Sequence, residues 1–212
     1  MLSVAEKGAY KDQKNTIKAL STKALAYAIL PENVELTKIP EEYDTKENKI
    51  KLPSQLELPK GTKFTRGIEL SENTTKLPEN AELHEGFSLN DTTKLSKGTT
   101  LKKGVKLPDT YEHKSNLPEN LFIEKGAELP KNSKLPKGAT LEKGYLLKKE
   151  KSFTYDRDFV LRKNIKFEDG YEMPSGDEVK YEPEFEMKKN VKLPTIIPKE
   201  VTSFEEGTII NE

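Results

Sequence analysis

Residues 117–147 read LPENLFIEKGAELPKNSKLPKGATLEKGYLL, and a large aliphatic residue returns there every six positions: Leu117, Ile123, Leu129, Leu135, Leu141 and Leu147. The same beat carries on to Phe153 and Phe159. It also runs earlier through Leu77, Leu83, Leu89, Leu95, Leu101 and Leu107. Three residues after most of these comes Gly or Asn: Asn80, Gly86, Gly98, Gly104, Asn120, Gly126, Asn132, Gly138 and Gly144. A fixed period of this kind fixes an architecture, because each unit buries its apolar residue only against its neighbours.

The unit is Leu-Pro-Lys/Glu-Gly/Asn-small-polar, with Leu135-Pro136-Lys137-Gly138-Ala139-Thr140 as a clean copy. Leu points inward. Pro presets the turn, and Gly or Asn tolerates the positive φ that other residues reach only at a steric cost. The small residue (Ala81, Thr99, Val105, Ala127, Ser133, Ala139) is separated from the next ladder residue by one polar residue. Both therefore face inward on a short extended segment, while Glu82, Thr100, Lys106, Glu128, Lys134 and Thr140 face water. The beat starts at Leu30, breaks over the polar residues 41–49, and resumes at Leu52, Leu58, Phe64 and Leu70. It slips by one residue before Leu77 and by more near His113. After Phe159 it loosens through Leu161, Phe167, Met173, Val179 and Phe185.

This unit resembles the hexapeptide repeat of left-handed β-helices, an aliphatic residue followed by a Gly, acidic or small one, with a second small residue at the fifth place. Residues 77–82 (LPENAE) and 141–146 (LEKGYL) line up with it, and the likeness covers residues 50–190. The resemblance implies an all-β solenoid with three hexads, about 18 residues, per triangular coil. Pro replaces the usual second residue in many copies, and Phe87, Tyr111, Leu121, Tyr145 and Tyr171 stand at the small position. A fibre of several chains around one axis accepts the same period. Coils of that length place Glu79 beneath Lys97, Glu85 beneath Lys103 and Lys94 beneath Glu112, but also Lys125 beneath Lys143.

Residues 14–29 (KNTIKALSTKALAYAI) read as a helix. Ile17, Leu20, Ala24 and Ala28 fall on one face, Asn15 is placed to cap the start, and Pro31 ends it. The open strand edges of a solenoid invite pairing with other chains, and this helix is placed to cover one end or to dock on another protein. The chain then divides into an N-terminal cap and loop (1–49), a hexad solenoid (50–192) and an irregular end piece (193–212).

Composition bounds the function. The hydrophobic fraction is 33% and the charged fraction 34%, too little apolar material for a thick core but enough for a long thin one. With 36 basic and 36 acidic residues there is no excess charge to release counterions, which argues against nucleic acid as a partner. The absence of cysteine excludes disulfides, thiolate catalysis and Cys-ligated zinc. Residues 24–30 form the longest apolar run, too short for a bilayer span. Residues 1–6 (MLSVAE) lack the pattern of a signal peptide.

The resemblance raises an acyltransferase with a histidine base between the subunits of a trimer. His84 reads as solvent-facing and His113 as a corner residue at a break in the ladder. No counterpart of the acyl-donor-binding insertions is visible, and two histidines are one short of a three-histidine zinc site. Asp156 and Asp158 around Arg157 read as a solvated bend, and residues 148–151 (KKEK) as a solvated face. Phe153, Tyr155, Phe159, Phe167, Tyr171, Tyr181, Phe185 and Phe204 read as a wider core toward the C-terminal end, with a carbohydrate-binding surface as the rival. We therefore expect no catalytic residues, no metal and no cofactor. The function expected is that of a non-enzymatic structural component of a larger assembly, self-associating as a homo-oligomer such as a trimer. A bacteriophage fibre or capsid decoration protein fits best, located in a virion or a cytoplasmic assembly.

Overall fold

The computed structural model describes residues 9–11, 16–19, 25, 29–38, 49–173, 179–193, 201–204, 206 and 208–210. They form a parallel β-solenoid. On one face the strands Thr16–Ala19, Glu35–Lys38, Lys63–Phe64, Glu82–Leu83, Thr100–Leu101, Phe122–Ile123 and Thr140–Leu141 pair in sequence order, all parallel. This continuous ladder is the spine of the molecule. The other two faces pair more intermittently. One carries Ile50–Lys51 on Ile68–Glu69, Lys106 on Glu128, and Leu146–Leu147 on Lys166–Phe167. The other carries Lys76 on Lys94, Lys134–Leu135 on Thr154–Tyr155, and Glu172 on Lys192.

The strands are two or three residues long because each hexad must turn again. Within each spine strand from Lys63 onward the first residue faces out and the second is buried: Phe64, Leu83, Leu101, Ile123 and Leu141 line up inside. Fully burying one such side chain stabilises by about 1.5–3 kcal/mol. The small positions also face inward. In three of them a hydroxyl bonds back three residues: Thr62 Oγ1 donates to Pro59 O (2.6 Å), Thr99 Oγ1 to Ser96 O (2.6 Å) and Ser133 Oγ to Pro130 O (2.7 Å), while Thr93 Oγ1 donates to Thr74 O on the coil before (2.7 Å). The turn itself thus satisfies a polar atom in an apolar interior.

One corner obeys a stricter rule than the hexad. Its turn residues, coil after coil, are Asn33, Gly61, Asn80, Gly98, Asn120 and Gly138, all at positive φ. The first five donate their N–H to the next coil, from Asn33 N to Lys60 O (3.0 Å) through to Asn120 N to Lys137 O (3.4 Å). Asn and Gly alternate because the Asn side chain lies across the next turn. A Cβ built on Gly98 would sit 2.0 Å from Asn80 Oδ1, and Gly61 and Gly138 face Asn33 and Asn120 in the same way. The residue before each turn alternates as well: Glu32, Lys60, Glu79, Lys97, Glu119, Lys137. Of these, Lys97 and Glu119 approach to 4.0 Å.

Three expectations need correction. The coil is not uniformly 18 residues. Ile50 to Ile68 and Glu82 to Thr100 keep that spacing, but Thr100 to Phe122 takes 22 and Lys134 to Thr154, Leu146 to Lys166 and Phe159 to Val179 take 20. A hexad period counts the residues in a side, not those added at a corner. The helix expected over 14–29 does not include Thr16–Ala19, a strand parallel to Glu35–Lys38 and antiparallel to Ala9–Lys11, the outermost strand of the spine sheet. Leu25 is helical and fully buried, while the rest of 20–28 lies outside the described residues. Glu112 lies over Asp91 rather than over Lys94, its N–H donating to Asp91 O at 3.2 Å. The extra residues of 109–116 displace the register there.

Tyr111 explains the slip near His113. It is wholly buried, and its hydroxyl donates to Thr93 O (3.0 Å) and accepts from Leu95 N (3.3 Å). A side chain thus fills the place of a strand neighbour where the chain is diverted. Burial pushes its pKa up to about 12.

Candidate functional site

Alternation along short strands projects Lys63, Glu82, His84, Lys102 and Glu124 outward from neighbouring coils of the spine, where they meet. Glu82 lies 3.5 Å from Lys63 Nζ and 3.8 Å from Lys102 Nζ, and Lys102 Nζ donates to Glu124 Oε1 at 2.9 Å. Burial raises the Glu124 pKa, but the bonds from Lys102 and from the Lys103 backbone N–H outweigh it and hold the carboxyl below its usual range. Lys102 is raised, chiefly by its bond to Glu124. His84 Nε2 lies 3.5 Å from Glu82 Oε2, buried and without a hydrogen-bond partner among the described residues. The patch is a compensated charge network.

His113 stands elsewhere, in the irregular turn after Tyr111. Its Nε2 lies 2.9 Å from Thr92 O, and its ring meets the Tyr111 ring edge-on at 5.7 Å. A carbonyl only accepts, so that nitrogen carries the proton. The two histidines are therefore held in separate local structures. Asp158 accepts from Lys180 Nζ (2.8 Å) with Lys137 Nζ at 3.5 Å, and the Lys180 bond holds its carboxyl low. Among the described residues no group of three or more His, Asp or Glu side chains is arranged to hold a metal ion. None of the described helices is long and apolar enough to cross a membrane. Residues 148–151 include a single 3-10 turn, Lys149–Lys151, closed by Ser152 at φ 48°.

The late aromatic residues are inside. Tyr155, Phe159, Tyr171, Tyr181 and Phe185 are buried, and their rings meet at 5.1 Å in the pairs Tyr155 with Phe159 and Tyr181 with Phe185. The Tyr155 and Tyr171 hydroxyls hydrogen-bond to each other in the interior. The side chain of Phe204 lies outside the described residues.

Sequence reasoning missed a recurrent clasp. Glu124 accepts from Lys103 N (3.0 Å), Glu142 from Lys125 N (2.7 Å), Glu168 from Lys149 N (2.9 Å) and Glu182 from Lys163 N (2.9 Å). Each carboxylate reaches back one coil to an otherwise unpaired turn amide. Its signal is a Glu two residues before the bend, in Glu124-Lys125-Gly126, Glu142-Lys143-Gly144 and Glu168-Asp169-Gly170.

Openings break the surface among the described residues. One of about 460 Å³ lies beside Ser54, Thr74 and Lys76, one of about 760 Å³ beside Ser152, Tyr171 and Met173, and one of about 260 Å³ beside Tyr145 and Leu146. The histidines line none of them. Comparison with known proteins finds no match to the chain among protein-family models, curated proteins or solved structures.

Proposed function

We propose that this chain is a non-catalytic structural component, a β-solenoid that gives rigid length to a larger assembly. A virion fibre or capsid decoration protein is the setting that fits best, with the chain self-associated as a homo-oligomer such as a trimer. The continuous spine sheet supports this reading. It runs from Thr16 to Leu141 without a break in its parallel pairing, over a column of buried side chains that includes Leu36, Phe64, Leu83, Leu101, Ile123 and Leu141. The polar groups of the corners are used in holding coil to coil. Each coil adds about 4.8 Å of length. Small-angle scattering combined with sedimentation tests the reading, and we expect an elongated particle with the mass of an oligomer. A compact globular monomer, or acetyl-CoA binding at micromolar concentration that is lost on His84→Ala, would overturn it in favour of an acyltransferase.

A further inference from the structure

The opening of about 260 Å³ is the smallest of the three, and its walls are not those of an ordinary surface dent. Its floor is interior: Ala127, Leu129, Tyr145 and Phe153 all line it and all are buried. It opens where the wall of the solenoid parts. Lys106 bridges to Glu128 on the coil before, and Leu146 pairs with Lys166 on the coil after. Between 127–129 and 145–147 no backbone hydrogen bond closes the gap among the described residues.

Two features mark this gap as a site. Leu146 stands at the mouth with 43% of its surface exposed, one of the few large apolar side chains left open to water. Tyr145 is 95% buried (5% exposed), yet its hydroxyl has no hydrogen-bond partner among the described residues. Tyr111, Tyr155 and Tyr171 each have one. The Tyr145 hydroxyl is not sealed from water, so it is available to donate to an acceptor in the opening. The rim carries Lys125, Lys148 and Lys151 against one carboxylate, Glu128, which is shared with Lys106 at 3.7 Å and Lys148 at 3.9 Å. Lys151 also lies 3.8 Å from Asp109. The balance within the lining remains positive.

We propose that this opening binds a small monocarboxylate with an apolar body. The apolar part lies on Leu129, Leu146 and Phe153, and the carboxylate accepts from the Tyr145 hydroxyl beneath the lysine rim. The space equals about eight or nine waters at about 30 Å³ each, which fits a medium-chain or aryl acid and not a long lipid.

The test is calorimetric titration of the full-length protein with sodium octanoate. Saturable one-to-one binding is expected, with octylamine at least about tenfold weaker because the rim repels it. Leu146→Glu should weaken octanoate binding at least about tenfold and Tyr145→Phe roughly threefold to tenfold. Leu146 is half-exposed, and the Tyr145 change keeps the ring, so both variants should melt near the parent temperature. Absence of saturable binding up to about 10 mM, equal binding of octylamine, or unchanged affinity in folded Leu146→Glu would each overturn the proposal.

Discussion

The coils up to Leu141 and those that follow solve the same packing problem with different material. In the first, Leu, Ile and Val make up most of the interior, with Phe64, Phe87 and Tyr111 as its buried rings, and most successive strands are 18 or 19 residues apart, as in Lys63 to Glu82 and Phe122 to Thr140. In the second, Tyr145, Phe153, Tyr155, Phe159, Tyr171, Tyr181 and Phe185 fill it, and the spacing is 20 in Lys134 to Thr154, Phe159 to Val179 and Glu172 to Lys192. Two more residues lengthen the perimeter by about 6–7 Å, which is room for rings. The corners differ too. The early coils carry the Asn/Gly interlock, while the Glu clasp begins at Glu124 and continues to Glu182. Core volume and corner chemistry therefore change together, with the overlap at 122–144.

The largest test of this contrast removes coils from the early half. Deleting residues 81–98 sets Asn80 directly against Asn120, with Glu79 against Glu119. Deleting 62–98 removes twice as much but leaves Gly61 against Asn120. The longer deletion should keep a cooperative thermal transition, while the shorter should aggregate or melt lower by roughly 10 °C or more. The reverse order would break the interlock rule.

A point substitution asks the same at smaller scale. Gly98→Ala places a methyl 2.0 Å from Asn80 Oδ1 at φ 75° and should cost about 3 kcal/mol in denaturant unfolding, with more than half recovered in an Asn80→Gly background. Gly144→Ala, whose new Cβ meets only Lys125 Cδ at 3.8 Å, should cost about 1 kcal/mol.

Alkali should separate the two halves next, because the later coils hold three raised phenols and the earlier ones hold Tyr111 alone among the described residues. Burial pushes the Tyr171 pKa up to about 12 and raises Tyr145 and Tyr155 as well. A phenol with a folded value above its ordinary 10.0 contributes stability that is complete below pH 10 and lost as pH climbs through 12. The loss should be on the order of 2–3 kcal/mol for Tyr171 at the top of that window. Proteolysis at pH 11–12 should cut the later coils first, and Tyr171→Phe should flatten the dependence.

Core width predicts a further pair. Leu101→Phe overfills a narrow coil and should cost about 1–3 kcal/mol, whereas Phe159→Leu leaves a void in a wide one and should cost about 1–2 kcal/mol. Equal tolerance of Phe at both sites would remove the link between perimeter and ring content. The smallest expected effect is that of Glu142→Gln, about 0.5–1.5 kcal/mol, because the amide still accepts from Lys125 N but without charge.

Much of the scaffold can be read from residue order alone. The six-residue return of Leu77 through Leu107 specifies the interior column, and Asn80, Gly98 and Asn120 mark the corners. Coil length was hidden because it depends on ring volume and on the diverted chain at 109–116, neither of which a period records. Thr16–Ala19 reads TIKA, four residues that suit a strand or a helix, and the waiting edge of Glu35–Lys38 decided for the strand. The Asn/Gly alternation lay in plain view as LPEN at 77–80 and LPKG at 135–138, but its reason is a contact between residues 18 to 28 positions apart. The opening at Tyr145 had no local signal, since it arises where two neighbouring coils fail to join.

The corner interlock also bears on how such a chain can grow. A gene for this rod can lengthen by copying part of itself, but a duplicated stretch with an odd number of turns that begins and ends on asparagine brings two asparagines face to face. Tandem duplication in even steps always keeps the alternation, whereas an odd step escapes the clash only when it begins and ends on glycine.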